Sequence, residues 1–189
     1  MSINIQRGAG AAAGSGLTLL STASASNDAT VDLDSSIDST YEMYFLTWND
    51  LVAASNDDLQ IRVESGGAWK SGASDYAYTT IESYDGNATR YTAQDDAHTS
   101  MIITRDTFGN ESGGGHSSGH LYFQNPAGTA RFKAFWGRLM HTGGGHALRN
   151  VHFSGMYAGD TAAITGVQFL MVSGNITTGE FRLYGLQKS

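Results

Sequence analysis

At 189 residues and 20.1 kDa the chain is long enough for one domain with its own core and too short for two well-built ones. Charged residues make up only 15%, so solubility rests on Ser, Thr, Asn and 24 glycines, a balance that suits a turn-rich β-protein. A net charge of −7 with 11 scattered Lys and Arg argues against a nucleic-acid surface, and the lack of cysteine excludes disulfides, thiolate metal sites and a cysteine nucleophile.

Residues Met1 to Gly16 close on "GAGAAAGSG" and read as a flexible, extended arm, a candidate anchor to a partner. The arm lacks the continuous apolar block of a signal peptide. No run approaches the roughly 18–20 apolar residues that cross a bilayer, so no membrane insertion is expected.

From Leu17 onward the pattern has period two, and residues 17–189 read as a single domain. "TVDLD" (Thr30 to Asp34) alternates cleanly. "YEMYFLTW" (Tyr41 to Trp48) alternates and then turns apolar on both sides, as a central sandwich strand would. "TWNDLVAASNDD" (Thr47 to Asp58) has room for one helical turn capped by Asn49 or Asp50. "LQIRVES" (Leu59 to Ser65) sets Leu59, Ile61 and Val63 against Gln60, Arg62 and Glu64. The stretch from Gly66 to Tyr84 reads as loop-rich. Further strands are expected at Ser100–Asp106, His120–Asn125, Ala130–Met140, Leu148–Ala158, Ile164–Val172 and Gly179–Leu186. About nine strands with Gly, Asn, Asp and Ser punctuation predict an all-β, antiparallel two-sheet sandwich of jelly-roll type, with the last strand inside a sheet.

Three sets of residues could carry chemistry. Five of the six histidines fall between His116 and His152. If "GGGHSSGH" and "HTGGGHAL" met at one end of the sandwich, His116, His120, His141 and His146 could converge on a transition metal. The bland alternative is flexible loops with polar tips, and it has the greater weight. The acidic pairs Asp57–Asp58 and Asp95–Asp96 lack the Asp-x-Asp-x-Asp-Gly calcium loop and read as solvated turns. Trp69, Tyr76, Tyr78 and Tyr84 could present rings to a glycan, Trp69, Tyr76 and Tyr78 foremost. Tyr76 and Tyr78 sit two apart on one strand face, which favours core. No nucleophile elbow, Walker loop or dinucleotide fingerprint is present.

Two longer stretches carry a resemblance. "YEMYFLTWNDLVAASNDDLQIRVESGGAWKSGASDYAY" (Tyr41 to Tyr78) and "ITGVQFLMVSGNITTGEFRLYGLQKS" (Ile164 to Ser189) resemble virion structural proteins of tailed bacteriophages. "NPAGTARFKAFWGRL" (Asn125 to Leu139) fits the same pattern, so the likeness covers most of the chain after Leu17. The resemblance implies a non-enzymatic component of the particle exterior, on capsid or tail, with the major capsid protein or tail proteins as partners. It implies a homo-oligomer, threefold being common for jelly rolls, and brings neither a catalytic residue nor a cofactor. The short arm, in place of the long extensions of many relatives, favours a compact capsid-decorating knob. The alternative is a tail- or fibre-borne module that binds a host surface glycan.

Overall fold

The computed structural model describes residues 16–85, 87–104, 108, 115–143 and 147–186, with backbone alone over 87–96. The alternation read from the sequence becomes thirteen strands among these residues, with no helix. They are β1 (Leu17–Asp28), β2 (Thr30–Leu33), β3 (Met43–Ala53), β4 (Leu59–Ser65), β5 (Ala68–Trp69), β6 (Tyr76–Tyr84) and β7 (Asn87–His98). β8 (Met101–Ile102), β9 (Ser117–Gln124), β10 (Lys133–Thr142), β11 (Leu148–Tyr157), β12 (Ile164–Met171) and β13 (Ile176–Leu186) complete the set.

Eight strands form one antiparallel sheet in the order β1-β13-β3-β9-β10-β11-β6-β7. β2-β12-β4-β5 form the second, with β8 also paired to β4. The pairs β1/β2, β3/β4 and β12/β13 each pass from one sheet to the other, so the two sheets form a β-sandwich. Strands β10, β11, β6 and β7 then widen the larger sheet. β13 lies between β1 and β3, so the expectation of an interior final strand holds.

Period two sorts side chains between faces. In β10, Phe135, Leu139 and His141 point inward while Trp136, Arg138 and Met140 point outward. The core forms where the two inner faces meet. Phe169 of β12 reaches across to Trp48 of β3 and Phe181 of β13, with ring centroids 5.5 and 4.9 Å apart. Trp48 is fully buried and fits because Gly119 faces it in the ladder, where a Cβ would stand 2.3 Å from the indole. Its Nε1 donates to Ser117 Oγ at 3.1 Å, which satisfies the one polar atom of the ring.

The expected helical turn near Asn49 is absent: β3 runs on to Ala53. Asp50 adopts a φ of 51° where the β3–β9 register slips between Trp48 and Leu51. The caps and small residues that suggested a turn instead serve a β-bulge, because pairing to β9 and β13 on both sides outweighs local preference.

Candidate functional site

The outer face of the eight-stranded sheet carries a ladder of large side chains. Cross-strand register aligns Leu19, Tyr184, Phe45, Tyr122 and Trp136 in one row over β1, β13, β3, β9 and β10. Ring centroids lie 6.1 Å apart for Tyr184–Phe45, 4.8 Å for Phe45–Tyr122 and 5.6 Å for Tyr122–Trp136. Tyr122 and Trp136 stack within 20° of parallel. Phe45, Tyr122 and Tyr184 are half-buried against their neighbours while Trp136 is exposed, and cross-strand aromatic pairs of this kind contribute about 0.2–1 kcal/mol each. Beyond Trp136 the row continues through Ser154 and Thr79, both exposed and both small.

The adjacent row on the same face runs Arg182, Thr47, His120, Arg138, His152 and Ile81. It contains no acid. His120 lies 5.7 Å from both Phe45 and Tyr122, and burial, with Arg138 beside it, lowers its pKa. At neutral pH it therefore joins the ladder as an uncharged ring. Six exposed large hydrophobics (Leu17, Leu19, Ile81, Trp136, Met140 and Leu148) all belong to this face. The outer face of the smaller sheet is different in kind. Asp32 accepts from Gln168 Nε2 at 2.9 Å, and Glu64 accepts from Thr165 Oγ1 at 2.8 Å, giving a polar, acid-bearing surface.

The four candidate histidines are not brought together among the described residues. His120 points outward from β9, whereas His141 points inward from β10 and is fully buried. His116 is partly buried before β9, its backbone N–H donating to Thr142 Oγ1 at 3.1 Å, and His146 lies outside the described residues. Among the described residues no three metal-ligating side chains converge.

His141 instead belongs to a buried charge cluster at one end of the sandwich. Its Nε2 lies 3.5 Å from Glu82 Oε2, and Phe108 stacks on its ring at 5.6 Å and 4°. Arg149 Nη1 donates to Glu82 Oε1, and the guanidinium sits 5.2 Å over the Tyr84 ring. Asp58 faces the same cluster. Burial raises its carboxyl to about 6, against the hydrogen bond from Thr104 Oγ1 at 3.0 Å, which lowers it. Asp57 accepts from Ser173 Oγ at 2.6 Å, so this acidic pair ties loops together, and the side chains of Asp95 and Asp96 lie outside the described residues.

The three aromatics first considered for a glycan do not share a surface. Tyr76 is core, its hydroxyl donating to Lys70 O at 3.1 Å and accepting from Val63 N–H at 2.9 Å. Tyr78 packs on the core and edge-on to His98. Trp69 stands on the other sheet, paired with Glu64 and close over Gly166. A cleft of about 480 Å³ opens under the β9–β10 loop beside Arg131 and Phe132. The ammonium of Lys133 is turned away to the carbonyls of Arg131 and Thr161, at 2.8 and 3.0 Å. The aromatic face thus carries six of the exposed large hydrophobics among the described residues. No protein-family model and no curated protein sequence matches the chain.

Proposed function

We propose that the chain is a non-enzymatic structural protein of a tailed-phage particle, a capsid-decorating knob that works by burying surface against its neighbours. The resemblance of Tyr41–Tyr78 and Ile164–Ser189 supplies the class of particle. The aromatic face supports the mode of action. A row of large side chains sorted onto one face of a sandwich suits a contact surface, since isolated exposed hydrophobics are ordinary and sorted ones are not. The partners are a capsid or tail protein and further copies of the chain, and the place of action is the particle exterior.

Ring geometry favours a protein neighbour over a sugar. A pyranose stacks on an open ring face, but Tyr122 has Phe45 at 4.8 Å on one side and Trp136 at 5.6 Å on the other. Tyr122 therefore presents its edge, which suits packing into another protein, and Trp136 stands over the small Ser154.

Particles lacking this protein, incubated with purified chain and imaged, should acquire density for the full chain and none for a version lacking residues 1–16. Equal occupancy by the shortened chain would overturn the role of the arm, and absence of both from capsid and tail would overturn the virion reading.

A further inference from the structure

We infer that the aromatic face is where two copies of this chain meet, face to face about a twofold axis that runs parallel to the strands between β10 and β11. This deepens the structural-protein reading and rests on it for the face being the working surface.

Self-complementarity carries the inference. The ladder row is large from Leu19 to Trp136 and then small at Ser154 and Thr79, a ridge followed by a trough. The proposed axis sets β10 over the second copy's β11, and β9 over its β6. Trp136 then meets Ser154, and Tyr122 meets Thr79. Along the same two strands Arg138 meets His152 and Met140 meets Asn150, so the longer side chain faces the shorter each time. An isologous contact requires this, because one patch must fit itself.

Area and charge agree. Six strands overlap, from β3 across to β7. At about 4.8 Å per strand, about 3.3 Å per residue and about nine residues per strand they cover roughly 850 Å², against the ~800 Å² per partner of a standard interface. Two chains of net charge −7 repel each other, yet the ladder row and the row beside it bring no described carboxylate to the contact, and exposed Asp50, whose N–H donates to Ser118 Oγ, enters only at the Met140 row. The β1–β13 margin stays outside the overlap. It bears Leu17, Leu19 and Tyr184 and leads back to residues 1–16, so it remains available to the particle.

A twofold contact produces even assemblies: a dimer alone, or a hexamer if a threefold axis is also present. Sedimentation or light scattering of the purified chain should give an even multiple of 20.1 kDa. Trp136→Ser, which leaves a gap, and Ser154→Trp, which opposes two indoles, should each weaken association by about tenfold or more. The combined Trp136→Ser, Ser154→Trp chain restores one indole per contact and should recover most of the loss. Residues 136 and 154 are exposed, and unchanged circular dichroism and melting will show that each variant is folded.

A monomer or a trimer would overturn the inference, as would an even assembly indifferent to both single variants or a double variant that fails to recover. A monomer whose tryptophan fluorescence responds to host polysaccharide, with the response lost in Trp136→Ser, would assign the face to a glycan instead. Particle attachment is read separately, so a monomeric chain that still decorates particles would sink this inference alone.

Discussion

Single residues hold the ends of the sandwich through the buried cluster. Glu82 has no exposed surface, and its charge is tolerable because Arg149 donates to it and the His141 ring lies beside it. Arg149→Ala should destabilise the fold by about 3–5 kcal/mol in a denaturant melt, since it leaves an ion buried without its partner. Destabilisation by less than about 1 kcal/mol, as at an exposed pair, would show that water reaches Glu82 in solution. None of this was legible beforehand. His141 lies in a Gly-rich stretch that reads as a flexible tip, and only pairing with β9 and β11 turns its ring inward. Tyr76 was legible as core from its spacing to Tyr78.

At the scale of elements, turns and pattern agree most closely in β4–β5. Ser65 pairs with Ala68, leaving Gly66 and Gly67 as a two-residue hairpin loop with φ of 61° and 76°. Both positions lie in the left-handed region that a tight hairpin of this type demands. Gly67→Val should cost about 1–2 kcal/mol, and Gly66→Asn should be nearly neutral, because no atom lies near either added Cβ and only backbone strain is at stake. Equal melting of Gly67→Val and the parent would contradict that account. Strands with strong alternation, such as β4 and β10, could be read directly. β1 was missed because "LTLLSTASASND" is rich in Ser and Ala, residues with little strand preference. Its pairing with β13 from Leu17 to Asp28 makes it a strand. Of the β6–β7 hairpin only the strand face at Tyr76 and Tyr78 was read: the Gly, Ser and Asp before Tyr76 suggested loop, and the β11 edge recruited the segment.

For the whole molecule, acid should act through Asp58. Its folded-state carboxyl, raised by burial to about 6 from an ordinary 3.8, binds a proton more tightly than in the unfolded chain. This group therefore makes stability fall as pH rises from about 4 to about 6, by on the order of 1–3 kcal/mol, and level off above. Asp58→Asn should flatten that part of the stability–pH curve, and an unaltered slope in chemical melts would remove Asp58 as its source. The charge asymmetry between the two outer faces belongs to this scale as well. Acids on the smaller sheet and carboxylate-free rows on the larger one direct any like-charged copy toward the aromatic face.

The sequence by itself determined the class of fold. Side chains alternate along a strand whatever its neighbours, so period-two runs and Gly-rich turns suffice to specify sheets with one face buried. Only the tertiary structure decided the aromatic face. Leu19, Phe45, Tyr122, Trp136 and Tyr184 come from five strands spread over nearly the whole chain, and strand order with register makes them one row. The apolar "FLTW" run reads as a strand buried on both sides. Its outward Phe45 is instead half-covered by its ladder neighbours, a distinction that local pattern cannot encode.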